Sequence, residues 1–372
     1  MDRESRWNHD RPHWYRPVAA ALGVALLFGA CSASSATNPA GSAGAGSSTA
    51  VVPPTTAPIS SPDSALKASP SPSATLPPSP APSLGTLVLR WQKGGPVNGI
   101  KPSTWWPAID PKTGNIWVSA AYEDKFWILS TAGKYLGSWG TPGSGPGQVK
   151  LTDNAPHPDP LGTIAFRPDG GFYIGDVGNY RIEQFDANRQ YVREWGTFGS
   201  GGSQFSQVGG VVTDGKTVYA IDGDRNDIQV FDAQGTLLRT IGGGDTLPAF
   251  GALDKAGNLY VSFGGAGADG GIIKYDPTGK ETSRFPYPVA GDPQGVAVDP
   301  DGNIFLSIAD PTPPGQSLGT WELAPDGHVI RGWTMGGESF ALSPDGGTIY
   351  YAREGNDGTG WSDVRAYAIP KS

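Results

Sequence analysis

The stretch Gly170–Phe205, GGFYIGDVGNYRIEQFDANRQYVREWGTFGSGGSQF, decides the fold of this chain. Three short β-prone runs begin at Phe172, Ile182 and Tyr191; turn-forming residues separate them, and a glycine-rich segment follows. A sheet of this size cannot bury both of its faces alone, so it needs similar sheets as neighbours. The stretch therefore predicts a repeat protein.

Copies of this unit share a glycine turn followed by β-prone residues and an aromatic side chain. The turn glycines lie 42 to 56 residues apart, a spacing typical of a four-stranded propeller blade. The six pairs of turn glycine and aromatic residue are Gly114 and Trp117, Gly170 and Tyr173, Gly215 and Tyr219, Gly257 and Tyr260, Gly302 and Phe305, and Gly346 and Tyr350.

A second marker is a hairpin residue followed six positions later by a bulky apolar residue. It occurs at Gly133–Trp139, Arg189–Trp195, Gly235–Ile241, Gly279–Phe285 and Gly327–Trp333, and once more at Gly85–Trp91, ahead of the first complete unit. We expect residues 85–91 to pair beside Val364–Ile369 and close a ring, which leaves no open join between blades. The predicted fold class is all-β, a six-bladed β-propeller closed by an N-terminal strand that completes the last blade. Trp91, Trp139, Trp195 and Trp333 share one blade position and are predicted to be packing residues.

Blade two resembles an NHL repeat in its D-x-x-N-x-R-I core, Asp176 to Ile182, and in the G-x-F-G-S-G-x-x-Q-F connector, Gly196 to Phe205. The resemblance implies an NHL-like propeller over residues 85–372. Asp176 and Arg181 are expected to form a structural pair around their turn. Because NHL propellers include both enzymes and binding modules, the fold does not decide the function.

The N-terminal part is predicted to be a signal peptide and a stalk. Residues 1–30 end in an apolar run, Pro17–Ala30, that is too short to span a bilayer and is typical of a signal peptide. Cys31, the only cysteine, follows directly; this arrangement resembles a bacterial lipoprotein signal and implies a lipid anchor on Cys31. The alternative is an ordinary secretory signal. With the lipoprotein signal, residues 31–84 would be the lipidated cysteine and a disordered linker rich in Pro, Ser and Ala. This arrangement would place the propeller outside the cytoplasm at the bacterial cell membrane.

Charge limits the partners. The chain has 27 basic and 35 acidic side chains and a net charge of −8, which disfavours nucleic acid and anionic lipid headgroups. The loops that join blades, and those between the second and third strands, should form one rim with more acidic than basic groups. We expect a monomer that binds a protein, a cell-envelope glycan or a cationic ligand at this rim.

Candidate ligand-binding residues are the off-period aromatic residues, carboxylates and neighbouring polar groups of that rim. They are Trp105, Trp106, Tyr122, Asp153, His157, Asp176, Asp222, Asp224, Arg225, Asp292 and Trp361. Two long loops, 140–161 and 309–319, are predicted among these connections. Trp105 and Trp106 have an alternative role, sealing the first blade against the sixth.

No cofactor is firmly implied, but the densest acidic turn has the oxygen ligands that calcium prefers: Asp222, Asp224, Asn226 and Asp227. The alternative is that these side chains cap backbone amides. No residue compels catalysis, so the sequence favours a binding or scaffold module over an enzyme. The alternatives are a metal-dependent hydrolase or lactonase that uses carboxylates at the tunnel mouth, near Asp153, Asp222, Asp224 and Asp292, and an extracellular sensory module.

Overall fold

The computed structural model describes residues 85–94, 105–155, 161–242, 248–264, 270–311, 314–335, 339–353 and 363–370. The predicted signal peptide, Cys31 and the stalk lie outside these ranges. The described residues are built from strands, with two single 3-10 turns at Ala121–Glu123 and Val177–Asn179. Among them, no helix has the length and apolar character needed to cross a membrane.

Six antiparallel four-stranded sheets form the blades of a propeller, as predicted. The inner strands are β2 (Trp105–Ile109), β6 (Ile164–Phe166), β12 (Val208–Thr213), β16 (Pro248–Leu253), β20 (Asp292–Val298) and β24 (Ser339–Leu342). The second strands are β3 (Ile116–Ala120), β7 (Phe172–Asp176), β13 (Thr217–Asp222), β17 (Leu259–Phe263), β21 (Ile304–Pro311) and β25 (Thr348–Arg353).

Two further strands complete each blade toward the outside. The third strands are β4 (Lys125–Leu129), β8 (Arg181–Phe185), β14 (Asp227–Asp232), β18 (Gly271–Tyr275), β22 (Pro314–Leu323) and β26 (Asp363–Ala368). The outer strands are β5 (Tyr135–Trp139), β9 (Tyr191–Trp195), β15 (Leu237–Gly242), β19 (Glu281–Pro286), β23 (Val329–Trp333) and, for blade six, β1 (Val88–Gly94). A short parallel pair, β10 (Thr197–Phe198) and β11 (Gln204–Phe205), lies in the connector between blades two and three.

The ring closes as the sequence predicts. Strand β1 pairs antiparallel with β26, from Val88 opposite Ala368 to Gly94 opposite Asp363. The Gln92 side chain also donates a hydrogen bond of 2.8 Å to the Asp363 carboxylate. The first described strand and the last therefore belong to one sheet, and blade six is complete.

The residues of the hairpin marker form a contact between neighbouring blades. A bulky residue of one outer strand packs under the hairpin glycine of the next blade, so closely that a Cβ atom on Gly133 or Gly235 would lie 2.7 Å from the ring of Trp91 or Trp195. Ile241 under Gly279 and Phe285 under Gly327 repeat the contact. Side chains in these positions fill the space between blades because only glycine leaves room for them.

The same contact recurs where the ring closes. Gly85 pairs with Trp333, donating its N–H to the Gly332 carbonyl at 2.8 Å, and a Cβ atom on Gly85 would lie 3.5 Å from the Trp333 ring. Gly85 thus takes the place that a hairpin glycine holds in the other blades. Between blades one and two the hairpin residue is Arg189, at a φ of +64°, and its guanidinium lies 4.8 Å from the centre of the Trp117 ring.

One predicted loop is wrong. Residues 309–319 are part of a β-hairpin rather than an irregular loop, since β21 and β22 remain paired as far as Pro311 opposite Pro314. Because the two strands stay paired, the backbone groups of this long connection bond to each other. In an irregular loop they would have to bond to water.

Candidate functional site: the tunnel mouth on the loop face

The inner strands begin, and the second strands end, on the same side of the ring. Val208 lies opposite Asp222 in blade three, Asp292 opposite Ala309 in blade five, and Ser339 opposite Ala352 in blade six. We call this side the loop face and the other side the hairpin face. The register agrees with the predicted grouping of connections, so the candidate residues share one side of the molecule.

Acidic charge does not distinguish the loop face. The hairpin face carries aspartates in nearly every hairpin, and their carboxylates accept backbone N–H groups two to four residues further on, as Asp232 does from Gln234 and Thr236. The backbone N–H of Thr236 lowers the pKa of the Asp232 carboxyl. The hydroxyl groups of Thr278 and Ser343, together with backbone N–H groups, lower the pKa of Asp276 and Asp345. The predicted acidic rim is therefore one of two acidic faces, and many of the carboxylates accept hydrogen bonds from the backbone of their own turns.

The NHL-like core of blade two is a buried ion-pair network. Arg181, 8% exposed, contacts the carboxylates of Asp176 at 2.7 Å, Glu183 at 3.2 Å and Glu194 at 2.9 Å. It also donates hydrogen bonds to the carbonyls of Ser144, Gly145 and Gln148 in the preceding connector. The arginine thus clamps the connector to the blade, and the expected structural pairing of Asp176 with Arg181 is confirmed.

In blade three an arginine also binds the preceding connector, but the arginine and its acidic partner occupy different positions of the turn. Arg225 stands where blade two has Asn179, and Asp227 stands where it has Arg181. The Arg225 guanidinium contacts the Asp227 carboxylate at 2.7 Å and donates to the Gly199 carbonyl at 3.2 Å. Arg225, a candidate binding residue, therefore holds the connector between blades two and three.

Glu183 is a buried acid in this network. Its side chain is fully buried; Oε1 accepts the Gly147 N–H at 2.9 Å, and Oε2 accepts no hydrogen bond from any described residue. Burial raises the pKa of Glu183 to about 8, because Arg181 is shared with two other carboxylates and cannot offset the loss of hydration. In blade three the neutral Gln229 holds the corresponding position and accepts the Ser203 N–H at 2.7 Å.

We expect the substitution Glu183→Gln to flatten the pH dependence of stability. Above pH 4.5 the unfolded chain loses the Glu183 proton, whereas the folded chain holds it up to about pH 8, so the free energy of unfolding falls as pH rises through this window. The variant should match the wild type at pH 5 and exceed it at pH 9 by about 4 kcal/mol, measured by urea unfolding. Glu194→Gln, at a side chain 32% exposed, is the comparison and should reduce the slope only in part, because it leaves Arg181 with one carboxylate fewer to share. Equal slopes for Glu183→Gln and the wild type would contradict the assignment.

The acidic turn of blade three caps backbone amides. The Asp222 carboxylate is buried and accepts the N–H groups of Ser206 at 2.7 Å, Gln207 at 3.1 Å and Arg225 at 3.1 Å. Asp227 is paired with Arg225, and Asp224 points to the exposed side of the turn. Within the ranges that the structure describes, no group of three or more acidic, His or Cys side chains is arranged to hold a metal ion. The contacts of Asp222 match the capping interpretation that the sequence left open.

The rings of Trp106 and Phe250 are in tilted contact at the tunnel mouth. Blades one and four are opposite one another in the ring, and the two rings are 4.8 Å apart between centroids, at an angle of 36°. The Trp106 N–H donates to Oγ of the buried Ser339 in blade six at 2.9 Å, so the backbone of Trp106 does contact the sixth blade, as the sealing alternative proposed. The ring itself extends toward blade four. Trp105 lies 6.1 Å from Trp106.

Buried polar side chains lie on the same loop face as this aromatic pair. Asp153, Gln207, Asp292 and Gln294 are 8%, 4%, 4% and 7% exposed. Asp292 and Gln294 belong to the start of β20, Gln207 directly precedes β12, and Asp153 lies in the connector between blades one and two. The Gln207 amide lies 3.5 Å from the Asp153 carboxylate. Gln207 also lines, with Trp106 and Phe250, a recess of about 20 Å³, which holds about one water molecule.

The long connector 140–161 positions Asp153. The backbone carbonyl of Leu151 accepts the N–H groups of Leu161 at 3.1 Å and Gly162 at 2.8 Å, and these bonds close the base of the loop. The Leu151 N–H in turn donates to the Asp124 carboxylate at 2.8 Å. These bonds fix the start of the loop against blade one and direct Asp153 toward blade three.

The other predicted site residues are dispersed. Tyr122 is 57% exposed, and Asp176 belongs to the Arg181 network. His157, Trp361 and Cys31 lie outside the described residues. Sequence reasoning missed Phe250, Gln207 and Gln294; Gln207 follows the glycine-rich connector directly, a signal that could have identified it, whereas Phe250 carries no such signal.

The comparisons with known proteins agree with the fold. A gluconolactonase from Xanthomonas campestris is 14% identical, with a TM-score of 0.51 over 73% of this chain and 88% of the other. Virginiamycin B lyase from Staphylococcus aureus, solved with quinupristin, is 13% identical, with a TM-score of 0.50 over 75% and 88%. A chain of the mitotic checkpoint complex is 14% identical, with a TM-score of 0.50 over 81% and 97%. No family model matches the sequence. The comparison with curated proteins also found no match.

The chain is a β-propeller. At these identities the likeness extends to the fold alone, and the fold is common to a lactonase, a lyase and a chain of a checkpoint assembly. The choice between binding and catalysis therefore depends on the residues of the tunnel mouth.

Proposed function

We propose that this chain is a ligand-binding propeller, held outside the cytoplasm by a lipid on Cys31 and an extended stalk, which receives its ligand at the tunnel mouth. The observation that carries the proposal is that the loop face holds four buried polar side chains, Asp153, Gln207, Asp292 and Gln294. Gln207 lines one recess with Trp106 and Phe250. A few polar groups in a concave, partly aromatic setting are typical of small-ligand sites.

The residue types favour a ligand with a flat or ring-shaped face and hydrogen-bond donors. Aromatic faces suit sugar rings, planar rings and cations. When ionised, the carboxylates of Asp153 and Asp292 accept hydrogen bonds and donate none, so they call for donors on the ligand. A cell-envelope glycan, a cationic compound or an exposed segment of a partner protein meets these requirements.

A ligand panel tests the proposal. The purified protein is titrated by calorimetry with chitin oligosaccharides, a muropeptide, oligolysine and planar aromatic acids. For a compound that binds, Phe250→Ala should weaken affinity about tenfold, or about 1.4 kcal/mol, because it removes the stacking surface. The control Phe198→Ala, at a 66% exposed aromatic residue of the connector between blades two and three, should leave affinity within about twofold. Loss of binding in Phe198→Ala with Phe250→Ala unchanged would place the ligand elsewhere.

A second candidate function is hydrolysis or lyase chemistry, favoured by the buried carboxylates Asp153 and Asp292 at the mouth. Such acids can serve as general bases or ion ligands. The same panel, extended with lactones and followed by mass spectrometry, separates the two functions. Binding without product supports the binding module, whereas turnover that Asp292→Asn abolishes supports the enzyme.

A further inference from the structure

Trp106 has an unusual backbone for an inner-strand residue. Its φ is +49°, in the left-handed region, and Pro107 follows it. Bulky residues rarely adopt this region, and a residue before proline favours an extended conformation. Six described non-glycine residues have positive φ, and five of them, Asp124, Tyr180, Arg189, Ser203 and Asn226, lie in turns or connectors. Trp106 alone of these lies within a strand.

The strand around Trp106 is irregular. The register between β2 and β3 shifts between Trp105 and Ala108, as in a β-bulge, which re-aims a side chain. The Trp106 N–H, displaced from the ladder, is bonded to Ser339 Oγ at 2.9 Å, and Ser339 is 3% exposed. The result of this arrangement is that the indole extends across the mouth to the opposite blade.

The indole covers one face of Phe250. With centroids 4.8 Å apart and a recess of about 20 Å³ beside them, no second ring fits between the two. Gln207 lines the same recess, and the open side of Gly209 lies beside it, where a Cβ atom would meet only Leu161 at 4.0 Å. The Phe250 ring, the Gln207 amide and the open side of Gly209 are thus adjacent, and the Trp106 indole occupies the position in which a ring would stack on Phe250.

We propose that Trp106 is a built-in occupant of a ring-binding site on Phe250, and that a ligand carrying a planar ring displaces the indole and stacks in its place. This inference rests on the proposed function and specifies the chemical class of its ligand. Backbone strain at functional sites is held by surrounding contacts. Once the indole leaves Phe250, the backbone at Trp106 returns to an extended conformation, so release of strain offsets part of the lost contact.

Indole is the probe for this site. In Trp106→Gly the backbone strain disappears, because glycine adopts positive φ freely, and a cavity of the shape of the missing side chain opens above Phe250. We expect calorimetry to give a Kd for indole of about 1 mM or tighter in this variant, with at least tenfold weaker binding to the wild type. The double variant Trp106→Gly, Phe250→Ala should lose the indole site.

Stability is the second readout. If Trp106 is a replaceable occupant, Trp106→Gly should shift the melting temperature by less than about 4 °C, the change typical of a single kcal/mol in a domain of this size. A drop of more than about 10 °C, or a variant that does not fold, would assign Trp106 a structural role and overturn the proposal. A folded variant without indole binding, or with binding that persists in the double variant, would overturn it as well.

The two proposals fail separately. If Trp106→Gly binds indole through Phe250 but the wild type binds no member of the ligand panel, the ring site stands and the proposed function falls. If the wild type binds a panel compound in a Phe250-dependent way but Trp106→Gly takes no indole, the displacement inference falls and the proposed function stands.

Discussion

Gly327→Ala should destabilise the propeller far more than Gly302→Ala. The two glycines lie in hairpins of the same blade at nearly equal φ, +90° and +89°, so an alanine at either position carries the same left-handed backbone cost of about 1–2 kcal/mol. A Cβ atom on Gly302 would have Pro325 as its nearest contact, at 3.4 Å, whereas on Gly327 it would lie 2.1 Å from the buried ring of Phe285. That ring cannot move without separating blades four and five.

The difference between the two variants isolates the contact between blades. Overpacking in a dense core costs a further 1–3 kcal/mol or so, so we expect Gly327→Ala to lose roughly 3–5 kcal/mol in all. Urea unfolding of both variants measures this difference. Adding Phe285→Ala to Gly327→Ala should recover part of the loss by making room. Equal stabilities of the two single variants would mean that the hairpin glycines are required only for their turns.

Arg181→Met should be the second severe substitution. It removes the cation shared by Asp176, Glu183 and Glu194 while keeping a side chain of similar length, and two of these acids are fully buried. Leaving one charge of a buried pair without its partner costs roughly 3–5 kcal/mol. The connector carbonyls of Ser144, Gly145 and Gln148 would also lose their donor.

Arg225→Met is the matched control in blade three. Arg225 pairs with a single carboxylate that is 14% exposed, and it bonds one connector carbonyl. We expect a cost of about 1–2 kcal/mol, near that of a hydrogen bond to a charged group. Chemical unfolding, with circular dichroism to follow the sheet, gives both values. If Arg181→Met cost no more than its control, the network would be a surface feature with little effect on the fold.

The architecture could be predicted from the spacing of the turn glycines, because every blade has the same residue types in its first turn. The glycine at the first turn and the aromatic residue three or four positions later recur in every blade, and each such glycine has a positive φ, from +68° at Gly346 to +90° at Gly170. The ring closure was predictable for the same reason, since Gly85 and Trp91 carry the missing marker. Local sequence decides turns, and turns decide the register of antiparallel strands.

The site was less predictable, because it is assembled across the ring. Phe250 and Trp106 are far apart in sequence and belong to opposite blades, and neither position repeats between blades. Carboxylates left the prediction with two alternatives each: Asp222 and Asp176 were candidate binding residues and also candidate structural residues. In the fold, Asp222 accepts backbone N–H groups and Asp176 pairs with Arg181. A sequence records which acids are present, whereas their availability depends on which donors the fold brings near them.

The pairing of β1 with β26 also sets an order of events in folding. Gln92 and Asp363, bonded across these strands, are 271 residues apart, so β1 has no partner in its sheet until almost all of the propeller has been synthesised. The entropy of closing so long a loop must be met before the pairing adds any stability. Blade six is therefore the last to become complete, and until then Trp91 of β1 lacks the core contacts that it makes in the closed ring.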